Sequence, residues 1–291
     1  GPYATKSNGW AQRACRGATQ LIARRVRERG VYSCVLPCSA QLADIRAVQP
    51  MGIIFSGGPA SVLDEGAPRV DEGVFELGVP VLGICYGMQL MAHLLGAPVE
   101  RGTRREYGRT DVTMDRVDGG LLAGLRPQSP CWMSHTYQVA RPPEGFMAIA
   151  HTADCPVAAM ADDAHRLYGV QFHPEVTHTE EGARVLENFL FGICGCKGDW
   201  SMDAYADMAV EQIREQVGDG TVLLGLSGGV DSAVAAALLY RAIGNRLTCV
   251  YVDHGFMRAG ESDQVVKPTR HGALQTDSPP RSRTNYSRRS T

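Results

Sequence analysis

Neither sign of charge dominates this sequence: 29 Lys and Arg stand against 31 Asp and Glu, a formal net charge of −2. That balance leaves out the electrostatic footprint of a nucleic-acid or anionic-membrane binder. A zinc pattern is also missing. The nine cysteines (15, 34, 38, 85, 131, 155, 194, 196 and 249) are scattered, and Cys194 and Cys196 form a C-x-C with no second pair. Scattered cysteines fit a reducing compartment, and the first residues lack the pattern of a secretory signal, so a cytoplasmic location is expected. Residues 77–99 carry no Asp, Glu, Lys or Arg and are long enough to invite a membrane span. Pro80, four glycines, Gln89 and His93 within them argue instead for a buried strand, a sharp turn and a core helix. With 291 residues, 44% of them hydrophobic, the chain has material for one large or two moderate domains.

Against these absences two short segments stand out. Gly83-Ile84-Cys85-Tyr86-Gly87 puts a cysteine between two glycines at the end of the apolar run Val79 to Ile84. A strand entering a helix through so tight a turn lifts the intervening side chain over the sheet edge, and glycines flank it where a Cβ would clash. Gly169-Val170-Gln171-Phe172-His173-Pro174-Glu175 supplies a histidine and a carboxylate two residues apart. A thiol needs a base to become a nucleophile near neutral pH, and that base needs an acceptor to hold its tautomer. Cys85, His173 and Glu175 together read as an acyl-transfer triad. A lone buried cysteine is usually an inert small hydrophobe, but packing alone does not ask for glycine on both sides of one.

With the Gly57-Gly58-Pro59 turn and the extended elbow through Met88-Gln89, these segments resemble the class I glutamine amidotransferases. The resemblance implies that Cys85 attacks the side-chain amide of glutamine and releases ammonia. It casts His173 as base and then acid, and Glu175 as the group orienting His173. It also implies an oxyanion hole from backbone amides near Gly57 and Gly58 and at Tyr86, with Gln89, Ser134 and His135 beside the substrate glutamine.

The pattern along the chain predicts an α/β fold. Leu21-Ile22 and Val26, ending at Gly30, suggest an amphipathic helix with an arginine-rich outer face. Val31–Leu36, Gly52–Phe55 and Val81–Ile84 read as short buried strands of a parallel sheet. Phe146–Ala150, Val157–Met160 and Leu167–Phe172 read as further strands. Thr177 with Glu180 fits a capping box for a helix through about Phe191. Together these predict a flavodoxin-like, doubly wound domain over residues 18–196, after an atypical polar and basic segment at 1–17. Beyond it, Met202, Tyr205, Ala209, Ile213 and Val217 are spaced for one helix face. Thr221–Leu226 and Leu247–Val252 read as strands of a second domain, with an apolar helix over Ala233–Ile243 between them.

Between that strand and helix lies Ser227-Gly228-Gly229-Val230-Asp231-Ser232-Ala233. A glycine-rich loop opening a helix is an anion cradle, because exposed backbone N–H groups and the helix dipole both favour phosphate. The lysine and spacing of a Walker A loop are absent. The segment is similar to the S-G-G-x-D-S signature of the ATP pyrophosphatase family, which implies ATP binding, with Ser227 and Ser232 as donors and Asp231 orienting the loop or meeting Mg²⁺. No prosthetic group is implied.

An amidotransferase domain followed by this loop resembles the glutamine-hydrolysing GMP synthase family, as do Gln20 to Glu28, Val176 to Thr179, Arg214 to Asp219, Leu223 to Asp231 and Asp253-His254-Gly255. That resemblance implies a partial α/β ATP pyrophosphatase domain, adenine nucleotide alpha hydrolase-like, over 197–266. Its partners would be glutamine, ATP and XMP, with neither nucleic acid nor membrane, and a homodimer in the full-length family. Three features depart from the pattern. Residues 1–17 lack the family's apolar first strand. Ser134-His135-Thr136-Tyr137 stands where Ser-His-Gly-Asp is common. Residues 267–291 are proline-rich and basic, as in a solvated, disordered tail, so the chain reads as truncated. Two alternatives stay open at this point: a non-catalytic relative, and an amidotransferase feeding a different adenylating amidation.

Overall fold

The computed structural model describes residues 11–227 and 229–251. Gly228, the Asp253-His254-Gly255 string, the tail at 267–291 and the first ten residues lie outside them. The chain divides into two compact units, one ending at Trp200 and the other beginning at Ser201.

The first unit opens with α1 (Ala11–Arg27) and the short α2 (Leu42–Ala47). On α1, Ile22, Ala23 and Val26 are buried while the Arg24 side chain is exposed, the amphipathic split expected from the sequence. Strand β1 (Ile53–Phe55) precedes a 3₁₀ turn at Glu72–Leu77, and β2 (Val81–Ile84) runs into α3 (Tyr86–Leu94). The chain then forms a long antiparallel pair, β3 (Val99–Met114) and β4 (Gln128–Val139), followed by β5 (Met147–His151), β6 (Ala159–Asp162), β7 (Leu167–Val170) and α4 (Gly182–Glu187).

All seven strands share one sheet in the order β1-β2-β7-β6-β5-β3-β4. Only β1, β2 and β7 run parallel; the remaining neighbours are antiparallel, so the sheet is mixed. Every residue of β2, β6 and β7 is buried, as expected for strands covered on both faces. The alternation within β2 shows the two faces. Leu82 and Ile84 join a core cluster with Ile22 and Val26 of α1 and Val185 and Leu186 of α4, whereas Val81 packs with Met88 and Met91 of α3.

Two sequence expectations fail here. Residues Val31–Leu36 form no strand: the segment is irregular, with Tyr32, Val35 and Leu36 exposed, so a β-branched run without a paired neighbour gains no ladder hydrogen bonds. The Thr177–Glu180 capping box is also not formed. The N-cap of α4 is Glu181, and Glu180 is drawn away into ion pairs with Arg109 and Arg126, both at 2.7 Å. The helical path does continue, through a π-turn at Asn188–Ile193.

In the second unit Ser201 caps α5 (Met202–Val217), its hydroxyl accepting from the Ala204 N–H at 3.2 Å. β8 (Val222–Leu226) and β9 (Leu247–Tyr251) pair in parallel, joined by α6 (Val230–Ile243). Val210, Ala242, Ile243, Leu247 and Cys249 form its core. Among the described residues no helix is long and apolar enough to cross a membrane.

Candidate active site

Cys85 ends β2 and caps α3, with φ 53° and ψ −108°. A side chain with a Cβ pays for that conformation in strain. Three contacts hold it: the Cys85 N–H donates to the Val170 carbonyl at 2.8 Å, its carbonyl accepts from the Gln89 N–H at 3.1 Å, and the thiol lies 3.7 Å from the Ser134 carbonyl. The flanking glycines have separate reasons. A Cβ on Gly83 would sit 2.6 Å from the Gly87 carbonyl oxygen, and one on Gly87 only 2.2 Å from the Phe55 carbonyl oxygen. One glycine therefore lets β2 pass beneath the first turn of α3, and the other lets α3 meet β1.

His173 follows β7, and β4 fixes its backbone. Its N–H donates to the Trp132 carbonyl at 3.0 Å, and its carbonyl accepts from the Thr179 hydroxyl at 2.6 Å. The same hydroxyl accepts from the Trp132 N–H at 3.0 Å. His173 Nδ1 lies 2.8 Å from Glu175 Oε1, which leaves Nε2 for the Cys85 thiol, and the two residues border the same space beside Gly57. The Glu175 side chain is 1% exposed, and its backbone carbonyl accepts from Arg25 of α1 at 3.0 Å. A Cβ on Gly57 would come 3.0 Å from His173 Cε1 and 3.6 Å from Cys85 Cβ, so glycine there keeps the space over the sulfur open.

Burial works against a charged His173, yet hydrogen bonds and charge from Cys85 and then Glu175 outweigh it and raise the pKa to about 10. A folded-state pKa above the ordinary 6.5 fixes the sign of the pH dependence. The stabilisation is fully present below pH 6.5 and is lost as pH rises through about 10. The gap in unfolding free energy between wild type and His173→Gln, from urea melts, is therefore expected to close between those limits. A gap that widened on going alkaline would contradict the pairing.

The other expected site residues are distributed as follows. Tyr86 is buried at the start of α3, and Gly58 is half-buried after β1. Gln89 is buried, its amide N–H₂ donating to the Tyr137 carbonyl at 2.6 Å and to Gln171 Oε1 at 3.0 Å. His135, expected beside the substrate, has a side chain only 2% exposed, and both ring nitrogens face protein acceptors. Sequence reasoning missed Glu106, Thr152, Gln171 and Thr179, which support this site. Gln171 had a readable signal, a polar residue inside the apolar run Leu167–Phe172; the others had none.

Glu106, His135 and Cys155 bring ligand-type atoms within 4.8 Å of one another. Each already has a protein partner, however, and burial followed by the Glu106 charge pushes the Cys155 thiol up to about 12. A protonated thiol is a poor metal ligand.

In the second unit, Ser227 and Gly229 lie between β8 and α6. The Ser227 and Ser232 hydroxyls meet at 3.2 Å, and Ser232 Oγ donates to the Gly229 carbonyl at 2.9 Å. Gly229 is the N-cap of α6 and supplies no side-chain cap, which leaves the first turn of Val230, Asp231, Ser232 and Ala233 suited to an anion. The Asp231 side chain is exposed in that turn.

The family model for class-I glutamine amidotransferases matches residues 14–193. The chain belongs to that family. A model for NAD synthase matches residues 203–264, across the serine- and glycine-rich loop. Among curated proteins, the chain is similar to the GMP synthase [glutamine-hydrolyzing] of Acetivibrio thermocellus, 56% identical over 246 residues, covering 84% of this chain and 48% of that protein. The same enzyme of Clostridium perfringens is 53% identical over 253 residues, covering 87% of this chain and 50% of the other. This amidotransferase chain thus spans about half the length of the curated relatives it matches. The crystal structure of a Thermoplasma acidophilum protein, assigned as one subunit of a GMP synthase, superposes with a TM-score of 0.56. It has 28% identity and covers 65% of this chain and 90% of that one.

Proposed function

We propose that the chain hydrolyses glutamine at Cys85 and that the ammonia released serves the synthesis of GMP from XMP and ATP. The observation that carries this reading is the left-handed elbow at Cys85, with His173 bordering the same space beside Gly57 and Glu175 2.8 Å behind the ring. As a thiolate, Cys85 Sγ attacks the side-chain amide carbon of glutamine, and the carbonyl π electrons move onto oxygen. Backbone N–H groups at Gly57 or Gly58 and at Tyr86 stabilise that oxyanion. His173, held as a cation by Glu175, gives its proton to the leaving nitrogen, and ammonia departs from a glutamyl thioester. Water then attacks the thioester, His173 takes its proton, and glutamate leaves with the thiolate restored.

In the second half-reaction, ATP adenylates the xanthine oxygen of XMP and releases pyrophosphate, and ammonia displaces AMP. The loop from Ser227 through Gly228 to Ala233 would cradle the pyrophosphate, with Asp231 toward Mg²⁺. The amidotransferase part corresponds to residues 18–196 and the nucleotide part to 197–266, in a cytoplasmic enzyme. NAD synthesis is the other adenylating amidation in view, through the match over 203–264. Relatives that align across both parts favour XMP.

Purified chain with glutamine should yield glutamate and ammonia in equal amounts. Separately, Ser232→Ala should weaken ATP binding by about tenfold, the lower end for one hydrogen bond to a charged group, read by calorimetry. Glutamine left intact would overturn the first half; ATP affinity unchanged by the substitution would overturn the loop assignment.

A further inference from the structure

We propose that the buried Glu106–His135 pair is a positioning device for the nucleophile, acting on Cys85 through the carbonyls of Ser134 and Tyr137. The inference rests on the reading of Cys85 as the glutamine-hydrolysing thiol. Glu106 lies on β3 directly after a break in register and stands opposite His135 on β4. Its Oε2 is 3.0 Å from His135 Nε2, and its Oε1 accepts from the Thr152 hydroxyl at 2.7 Å. The two side chains are 8% and 2% exposed.

The second ring nitrogen, Nδ1, faces the Tyr137 carbonyl at 3.1 Å. With a carboxylate on one side and a carbonyl on the other, both ring nitrogens face acceptor oxygens. Burial alone would raise the Glu106 pKa, but hydrogen bonds from His135 and Thr152 outweigh it and lower it, so the carboxylate stays charged.

Burying a carboxylate beside an imidazole is a poor way to gain stability, because desolvation offsets much of its attraction. Its place in the sheet suggests a different use. The Tyr137 carbonyl that His135 contacts also accepts from the Gln89 side chain, and the Gln89 N–H donates to the Cys85 carbonyl. On the other side, the residue preceding His135 is Ser134, whose carbonyl meets the Cys85 thiol at 3.7 Å. Glu106 thus pins the short stretch of β4 that contacts the elbow both at its sulfur and at its first helical turn. Release of the pin lets the thiol swing relative to His173, and a displacement near 1 Å is costly to a reaction that depends on alignment.

The test compares Glu106→Gln, Thr152→Val and the conservative Thr152→Ser with wild type. Two readouts are taken: kcat and KM for glutamine, and the iodoacetamide alkylation rate of Cys85 followed by peptide mass mapping. Glu106→Gln is expected to lower kcat by about 10- to 100-fold, with KM moving by less than about threefold, the split of an interaction used in the transition state. Thr152→Val should fall in the same direction and Thr152→Ser should restore most of the loss. Cys85 alkylation should slow in the same order. A folded Glu106→Gln with wild-type kcat and alkylation rate overturns the proposal. If Glu106→Gln does not fold, equal behaviour of Thr152→Val and Thr152→Ser overturns it. A wild-type chain inactive on glutamine would instead overturn the proposed function, and the alkylation rates would still decide the positioning role.

Discussion

Replacing Cys85 by alanine is expected to lower glutamine hydrolysis by at least about 10⁴-fold, since a covalent route has no substitute once its nucleophile is removed. Loss of His173 should cost a comparable factor, and the double variant little more, because thiol and imidazole act as one unit. The substitution should leave the fold in place. Alanine keeps the Cβ and therefore keeps the strain of φ 53° at this position. Glycine does not, so Cys85→Gly is expected to be about 1 to 2 kcal/mol more stable than Cys85→Ala while equally inactive. That contrast separates the chemical need for sulfur from the conformational cost of holding it. Ammonia release and urea melts on the two variants read both effects. Activity within tenfold of wild type in either variant would remove Cys85 from the mechanism.

The second large effect belongs to Gly87. A methyl group there would lie 2.2 Å from the Phe55 carbonyl oxygen and 2.6 Å from its Cβ, and neither atom can rotate away. Either β1 or the first turn of α3 must move. Strand β1 is the weaker member, since among the described residues it lies at the sheet edge and pairs with β2 alone. Moving it carries along Gly57 and Gly58, which follow it after Ser56; a Cβ on Gly57 would already touch Cys85 and His173. Gly87→Ala is therefore expected to lose about 3 kcal/mol of stability, the upper range for overpacking, and to lose most activity even where it remains folded. Gly192→Ala is the control: a Cβ there meets nothing within 4 Å, and the urea midpoint should stay near wild type. A Gly87→Ala chain with wild-type stability would show that the close approach of α3 to β1 is not needed.

The legible parts of this molecule were those in which one residue type answers one local constraint. Glycines at 83 and 87 announced the elbow because each removes a specific clash, and the apolar run before Cys85 announced a buried strand. The β3–β4 pair was not legible. Segments such as Arg101 to Arg109 are rich in charge, because much of that ladder faces solvent, and no apolar alternation marks it. Glu106 sits within that charged run and shows nothing of its burial, which arises only when the register break turns it inward opposite His135. Val31–Leu36 misled in the opposite direction, with strand propensity but no paired neighbour. The Thr177–Glu180 spacing was right for a cap, but Arg109 and Arg126 took the glutamate, a competition set by residues 71 and 54 positions away.

The central claim is that Cys85 is the nucleophile of a glutamine site. Treating the chain with an electrophilic glutamine analogue and mapping the modified peptide tests it most directly. A single adduct on Cys85 is expected, formed faster than on exposed Cys34 or Cys38 and suppressed by excess glutamine. An adduct spread over the exposed cysteines, or a Cys85 adduct that glutamine does not suppress, would contradict it.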